Sequence, residues 1–167
     1  MLYFAYASNL DPVQFRARCP GHQVVGLAVL ADHRLVFPRF SSDWGGGVAS
    51  VALAHGEKVW GVVHELSDPD LAALDAYEGW RAVGDQHNHY DRETVTVEMV
   101  RPDDASVPRR LRVLTYVARI SNPSAPSRRY LETILRGARH HRLPEDYVER
   151  LGKTEVREED PASAAGE

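Results

Sequence analysis

The sequence predicts an α+β domain built around a closed or strongly curved mixed β-sheet with flanking helices. Roughly six apolar, β-branched segments are joined mostly as hairpins, and three or four helical segments do not alternate with single strands. A doubly wound parallel sheet would need that alternation. The 167 residues suffice for one core. We therefore predict a single domain over residues 1–152 and a disordered, polar tail over residues 153–167.

The first elements are predicted to be a strand, a short helix and a longer strand. Leu2–Tyr6 is aromatic and apolar without polar interruption, which is typical of a buried strand. A helix over Asp11–Arg18 follows, with Asp11 as its N-cap. Val24–Phe37 predicts one long strand or a hairpin pair, and Pro38 is expected to end it.

A glycine-rich segment separates this strand from the next pair. Ser41–Gly47 contains three consecutive glycines and predicts a flexible loop, either a mobile lid that carries Trp44 or a long turn. Val48–Ala54 and Val59–Leu66 then predict two strands joined by a turn at His55-Gly56-Glu57.

The second half contains the clearest helix. Ser67 is its predicted N-cap, with Asp70 three residues later, and Gly79 ends it in the left-handed conformation. The remaining predicted elements are a strand hairpin over Tyr90–Val100 and Leu111–Ala118 with a turn at 102–106, a proline-rich connector over 121–127, and helices over Ser127–His141 and Leu143–Leu151.

Composition excludes several classes of function. Lysine and arginine number 20 against 24 acidic residues, a net charge of −4, which gives no electrostatic signal for nucleic acid or an anionic membrane. The single cysteine, Cys19, allows neither an internal disulfide nor a multi-cysteine metal site. No membrane span or secretion signal is recognisable, so a cytoplasmic location is expected.

Glu78 is the main candidate for chemistry. Leu71 and Leu74 precede it by seven and four residues, so the three side chains share one face of the predicted helix, and that face is apolar. Burial and the negative end of the helix dipole both raise a carboxyl pKa there, as a general acid or base requires. The alternative is that Glu78 bends out into water at a frayed helix end.

The segment Tyr6-Ala7-Ser8-Asn9-Leu10 is a second candidate. Its small residues leave backbone N–H groups at a helix entrance, where a carboxylate or an oxyanion is readily held. A plain turn is the alternative interpretation.

Other groups have simpler explanations. His87 with His89, and His140-His141, lack the spacing of metal ligands and are predicted to be solvated. Cys19 is predicted to be a small core residue, and Arg128-Arg129 a solvated face. No glycine-rich phosphate-binding motif is present, so no nucleotide cofactor is expected.

Three segments together resemble the gamma-glutamylcyclotransferase, or AIG2-like, family. Tyr3–Leu10 (Y-F-A-Y-A-S-N-L) resembles the family's Y-F-A-Y-G-S-N-L, with Ala7 in place of the family's glycine. Val59–Leu66 resembles the strand before the family's catalytic helix, and Leu74–Gly79 (L-D-A-Y-E-G) resembles L-D-x-x-E-G. The resemblance extends over about residues 3–151.

The resemblance implies a small barrel and a set of site residues. Glu78 takes the role of the catalytic acid/base. The residues implied to bind the substrate are Tyr6, Ala7, Ser8, Asn9, Leu10, Tyr90, Tyr116 and Tyr130.

The implied activity is cyclisation of the gamma-glutamyl group of a small gamma-glutamyl amine or amino acid to 5-oxoproline, with release of the amine. This chemistry needs no metal and no cofactor. The implied partner is the small-molecule substrate, without nucleic acid or membrane; a homodimer and the identity of the leaving amine stay open. Because Ala7 adds a Cβ at the substrate loop, the alternative is a catalytically inactive module that binds a small ligand or a protein on the same fold.

Overall fold

In the computed structural model, which describes residues 1–100, 106 and 108–158, a β-barrel is surrounded by helices. Within these residues the strands are β1 (Leu2–Ala5), β2 (Gln23–Ser41), β3 (Gly46–Glu65), β4 (Tyr90–Val100) and β5 (Arg110–Ala118). The α-helices are α1 (Pro12–Arg18), α2 (Asp68–Glu78), α3 (Arg128–His140) and α4 (Glu145–Gly152). The strand order is β1-β3-β2-β4-β5, closed by a parallel β1–β5 pair, so the predicted fold class is confirmed.

The β2–β3 ribbon corrects the predicted strand count. β3 is one strand of 20 residues, so the predicted turn at residues 55–57 is wrong. The ladder instead shifts register between the pairs Ala31–Lys58 and His33–Leu53. There the Gly56 N–H donates to Asp32 Oδ1 at 2.8 Å, and Gly56 has a φ of +79°. Gly56 therefore lies in a β-bulge within β3 and not in a turn between two strands. The residues on either side of it keep their antiparallel partners on β2.

The other end of this ribbon corrects a second prediction. β2 passes through Pro38 and ends at Ser41, because the ladder is irregular between Val36 and Arg39, where a missing N–H is tolerated. Residues 42–45 then form the turn into β3. The predicted glycine-rich loop is thus a tight turn, and the predicted turn at 102–106 lies almost wholly outside the described residues.

The predicted helix caps are confirmed. Asp11 Oδ1 accepts the Gln14 N–H at 2.8 Å at the start of α1. Ser67 Oγ accepts the Asp70 N–H at 3.2 Å at the start of α2, and Gly79 ends that helix with a φ of +64°. These local contacts place Glu78 on the last turn of α2.

Helix α3 packs against the loop between β1 and α1. Ser8–Leu10 forms a 3₁₀ turn that packs directly on this helix. An added Cβ at Gly137 would lie 2.3 Å from the Leu10 carbonyl carbon and 2.5 Å from the Asp11 nitrogen. The ion pair between Arg136 and Asp11 joins the same two elements. The glycine therefore sets how closely the loop approaches α3.

We expect Gly137→Ala to destabilise the protein by about 1–3 kcal/mol, because the added methyl meets backbone atoms that cannot rotate away. The loop that carries Asn9 should move with it, because this loop packs on α3. Thermal unfolding measures the destabilisation. Gly152→Ala is the matched control, since it lies in helix α4 with nothing within 4 Å of its added Cβ. Equal melting temperatures for the two variants would contradict the close approach.

Beyond α4 the chain stays in contact with the domain as far as it is described. Val156 packs against the core, and the Arg157 N–H donates to the Pro126 carbonyl at 2.8 Å. The ordered part thus reaches past the predicted boundary at residue 152, and residues 159–167 of the predicted tail lie outside the described residues. In the described ranges, no helix has the length and apolar character needed to cross a bilayer.

Candidate active site

A cavity of about 590 Å³ opens beside one end of the barrel. Its wall draws on β1, the 3₁₀ turn, α1, both ends of the 42–45 turn, α2, β4, β5 and α3. The lining includes most of the predicted site residues, namely Tyr6, Ala7, Ser8, Asn9, Glu78, Tyr90, Tyr116 and Tyr130. Residues between positions 3 and 130 of the sequence thus meet around one cavity.

Leu10 is the exception among the predicted site residues. Its side chain is 0% exposed and does not line the cavity. Its N–H donates to the Ala7 carbonyl at 2.9 Å and is therefore occupied within the 3₁₀ turn. The predicted contact of Leu10 with a substrate has no support in this geometry. Ala7 itself has a φ of −131°, so the loop does not need the left-handed conformation that would favour glycine.

Glu78 lies in the cavity wall, partly buried, on the face of α2 that also carries the fully buried Leu74. Asn9 Nδ2 donates to Glu78 Oε1 at 2.9 Å. Burial raises the pKa of the Glu78 carboxyl above its ordinary value; the charge of Arg18 and the Asn9 hydrogen bond oppose this effect, and the charge of Asp75 adds to it. A carboxyl group whose pKa is raised is better suited to accept and return a proton than an ordinary glutamate.

Asn9 connects three functional groups at the cavity floor. Its Nδ2 also donates to the Tyr3 hydroxyl at 2.9 Å, and its Oδ1 accepts from Arg18 Nη1 at 2.9 Å. The side-chain amide is thus fixed from both ends, and it holds the Glu78 carboxylate in one orientation. This explains why a short polar residue follows Ser8 at the helix entrance.

Five tyrosines surround Glu78, and burial raises the pKa of each phenol, so all five are neutral hydroxyls. Three of these hydroxyls donate a hydrogen bond to another group of the protein. The acceptors are the Tyr116 carbonyl for Tyr6 at 2.6 Å, the Ala49 carbonyl for Tyr90 at 2.9 Å, and Asp75 Oδ1 for Tyr116 at 2.7 Å.

The other two hydroxyls are acceptors towards the protein. Tyr3 accepts from Asn9, and Tyr130 accepts the Ala49 N–H at 3.0 Å. Because a hydroxyl that accepts still has its own hydrogen, Tyr3 and Tyr130 are the tyrosines that have a donor for a ligand. The rings of Tyr6, Tyr90 and Tyr116 shape the wall.

An ion pair between Arg92 and Asp75 lies next to the tyrosines that line the cavity. Arg92 Nε donates to Asp75 Oδ1 at 2.8 Å and stacks on the Trp80 ring at 3.9 Å from its centroid. Asp75 also accepts the Tyr116 hydroxyl, so it joins α2 to β4 and β5. The pair therefore holds the last turn of α2, with Glu78, against the barrel.

Sequence reasoning missed several cavity residues. Tyr3 was predicted only as part of a buried strand, although it also lines the cavity. Arg128 and Arg129 are both exposed, as predicted, but Arg129 lines the cavity as well. Arg18, nine residues after Asn9, carried no signal of its own. Trp44 also lines the cavity from the 42–45 turn. The one sequence signal that could have indicated these residues is their position at or near the ends of strands and turns, where functional side chains often cluster.

The histidines are distributed over separate places. His89 is in the cavity lining, and His87 Nδ1 lies 3.1 Å from Asp85 Oδ1 outside it. His140 and His141 lie at the end of α3, next to the buried His64. In the ranges 1–100 and 108–158, no group of three or more histidine, cysteine or acidic side chains is arranged to hold a metal ion.

Comparison with known proteins agrees with this architecture. The model of the AIG2-like family matches residues 58–151, more than half of the chain. The gamma-glutamylcyclotransferase of Bos taurus is 30% identical over 158 residues, which cover 92% of this chain and 78% of the relative. The chain belongs to the AIG2-like family of gamma-glutamylcyclotransferases. The family match includes the catalytic candidate Glu78 and four of the tyrosines that line the cavity, Tyr77, Tyr90, Tyr116 and Tyr130.

Further relatives of this AIG2-like chain point the same way. The gamma-glutamylcyclotransferase of Homo sapiens is 30% identical over 154 residues, with 90% of this chain and 76% of the relative covered. A solved structure of a gamma-glutamyl cyclotransferase matches with a TM-score of 0.82 and 29% identity over 95% of this chain and 89% of that one. The AIG2-like barrel is thus shared over nearly the full length of both structures.

Proposed function

We propose that this chain is a gamma-glutamylcyclotransferase, an enzyme that cyclises the gamma-glutamyl group of a small gamma-glutamyl amine or amino acid to 5-oxoproline and releases the amine. The observation that carries the proposal is the Glu78 carboxyl, which lies in a cavity wall with a raised pKa and is held by Asn9 at 2.9 Å. Relatives that cover most of the chain carry this activity in their names.

The reaction is an intramolecular aminolysis. The α-amine of the glutamyl group attacks its own γ-carbonyl carbon, a C–N bond forms to close the five-membered lactam, and the amide bond to the leaving amine breaks. Ionised Glu78 takes one proton from the α-ammonium, so that the neutral amine can attack, and delivers it to the leaving nitrogen as the amide bond breaks. The second proton that the attacking nitrogen loses on becoming the lactam N–H also passes to the released amine, which departs as an ammonium ion, so protons balance over the cycle and Glu78 is ionised again. A general base that then acts as a general acid contributes typically about 10²- to 10⁴-fold.

Neutral donors support the negative charge that develops on the γ-carbonyl oxygen or the carboxylate of the glutamyl group. The hydroxyls of Tyr3 and Tyr130 and the first N–H groups of the 3₁₀ turn at Ser8 and Asn9 are the available donors in the cavity. The cavity walls hold the flexible glutamyl chain folded, which replaces a costly encounter between amine and carbonyl. The scheme balances without a metal, a nucleotide or a covalent enzyme intermediate.

We also infer a cytoplasmic, single-domain protein. The single cysteine supports a reducing compartment, and the net charge of −4 supports a small-molecule partner over nucleic acid or an anionic membrane. The core contact of Val156 and the Arg157–Pro126 hydrogen bond support a domain that extends to at least residue 157.

The test is incubation of the purified protein with gamma-glutamyl amino acids, gamma-glutamyl amines and glutathione, with 5-oxoproline measured by mass spectrometry. We expect at least one member of this panel to be converted to 5-oxoproline with equimolar release of its amine. Saturable binding without 5-oxoproline from any of them would favour the alternative of an inactive binding module.

A further inference from the structure

The Asn9 side chain can hold Glu78 in only one of its two amide orientations. In the observed orientation Nδ2 donates to Glu78 Oε1 and to the Tyr3 hydroxyl, each at 2.9 Å, and Oδ1 points the other way. If the amide were turned over, its oxygen would face the Glu78 carboxylate, and two acceptors in contact repel each other. The orientation of this amide therefore decides whether Glu78 is held in its ionised form.

Arg18 selects the observed orientation of the amide. Its Nη1 donates to Asn9 Oδ1 at 2.9 Å, and a guanidinium has only donors, so the oxygen of the amide has to face it. Gln14 Nε2 approaches the same oxygen at 3.5 Å, which is a longer contact from a group that can itself be turned over. Arg18 is thus the partner that fixes which end of the Asn9 amide meets Glu78.

Arg18 also contacts the residue that precedes Glu78 in the chain. Its guanidinium lies 4.7 Å from the centroid of the Tyr77 ring, on the last turn of α2. A cation over an aromatic face is attracted by the ring. One side chain of α1 thus contacts two neighbours of Glu78, namely Asn9, which is near in space, and Tyr77, which is next in sequence.

The positive charge of Arg18 acts on Glu78 without a direct ion pair. Burial raises the pKa of the Glu78 carboxyl, and the charge of Arg18 is the largest effect that opposes this rise. Among the residues that the structure describes, no carboxylate forms an ion pair with Arg18, so its charge is not neutralised by a closer anion. The charge therefore favours the ionised form of Glu78, which is the form that accepts a proton.

The other titratable groups around Glu78 do not duplicate this effect. Asp75 is itself negative and pairs with Arg92, and burial raises the pKa of the Cys19 thiol to about 12, so it is neutral. The five tyrosine hydroxyls from β1, β4, β5 and α3 are neutral as well. The remaining charged or titratable side chains of the cavity lining make no hydrogen bond to Asn9; they are Arg39, Asp43, His89 and Arg129.

We propose that Arg18 is a positioning residue for the reaction, which fixes the Asn9 amide towards Glu78 and supplies the positive charge that favours the Glu78 carboxylate. The proposal rests on the proposed function. Arg18 acts through Asn9 and through its charge, and it takes no part in the proton transfer itself. Its loss should therefore lower kcat and change the pH dependence of the reaction, because a base that is misoriented or already protonated accepts fewer protons.

The test compares Arg18→Met with Arg18→Lys. Methionine keeps the apolar part of the side chain and removes the charge and every donor, whereas lysine keeps a charge and can still donate to Asn9. We expect Arg18→Met to lower kcat by about tenfold or more, the factor that corresponds to one charge-assisted hydrogen bond. The acidic limb of its kcat/KM profile should move to higher pH, because a carboxyl without a nearby cation is protonated more readily. Arg18→Lys should lie between Arg18→Met and the wild type in both measurements.

Arg16→Met is the matched control. Arg16 is exposed on the same helix and lies outside the cavity lining, so this variant should keep the wild-type kcat and pH profile. The limb is measured as a midpoint within each variant, so a general loss of active protein does not move it. A purely structural role of Arg18 would lower the activity without displacing the limb.

The outcomes separate the two proposals. An acidic limb of Arg18→Met that coincides with that of the wild type overturns the positioning role alone. A limb of Arg18→Lys displaced as far as that of Arg18→Met overturns it too, because the charge would then have no effect. Absence of 5-oxoproline from the wild type with every substrate of the panel overturns the proposed function and the positioning role with it.

Discussion

Glu78→Gln is expected to lower kcat by at least about 100-fold, the typical effect of losing a general base. The amide keeps the size of the side chain and its hydrogen bonding to Asn9, but it cannot take a proton from the substrate ammonium. The measurement is 5-oxoproline formation from the best substrate of the panel. Glu132→Gln, an exposed position on α3, is the control and should keep the wild-type rate.

The pH profile of the wild type adds a second check on Glu78. Burial raises the pKa of this carboxyl, so the base form is lost at a higher pH than for an ordinary glutamate. The acidic limb of kcat/KM should accordingly lie above the usual glutamate range, and it should be missing from any residual activity of Glu78→Gln. The folded variant should be as stable as the wild type or slightly more so at pH 7, because a carboxylate that is costly to bury has been removed. A folded variant with near-wild-type turnover would falsify the role of Glu78.

His64→Leu is expected to make the protein resistant to mild acid. His64 is 1% exposed, and neither of its ring nitrogens has a hydrogen-bond partner among the described residues. It packs against Phe15, with His22 and His141 on either side at 5.1 and 6.1 Å between ring centroids. Burial, together with the charges of these two histidines, lowers the pKa of His64 to about 3.

The direction of the pH effect follows from this shift. The unfolded chain binds a proton at His64 below about pH 6.5, whereas the folded protein does not bind one until about pH 3. The wild type therefore loses stability as the pH falls through this window, by about 1.4 kcal/mol per unit from this residue.

Relative to the wild type, His64→Leu should gain about 2 kcal/mol between pH 7 and pH 5. Urea unfolding at the two pH values measures the gain. His55→Leu, at a fully exposed position, is the control and should show no such gain. Parallel pH dependence of the wild type and His64→Leu would show that His64 is not buried in its neutral form.

The cavity shows why Glu78 was easier to find than its partners. The periodicity of Leu74 and Glu78, the Ser67 cap and the terminal Gly79 are all local, so the sequence predicts both the helix and the face on which Glu78 lies. Arg18, Arg39 and Arg129 sit on three elements that meet only when the barrel closes, and no local pattern relates them.

The wrong element predictions have the same origin. Gly56 and Pro38 are strong local signals for a turn and for the end of a strand. In the structure both residues lie at irregularities in the pairing of β2 with β3. The strands continue past them because cross-strand pairing resumes on each side. The turn preference of one glycine or proline is outweighed by the many cross-strand hydrogen bonds of the β2–β3 ladder.

By itself, the sequence determined the helices with their caps, the α+β class and the position of Glu78 on the last turn of α2, because these depend on contacts between residues close in the chain. Tertiary structure alone decided that β2 and β3 are two continuous strands, that the Leu10 side chain is buried away from the cavity while Tyr3 lines it, and that Arg39 and Arg129 line the same cavity as Glu78. Each of these depends on pairs distant in sequence, whose proximity is set by barrel closure.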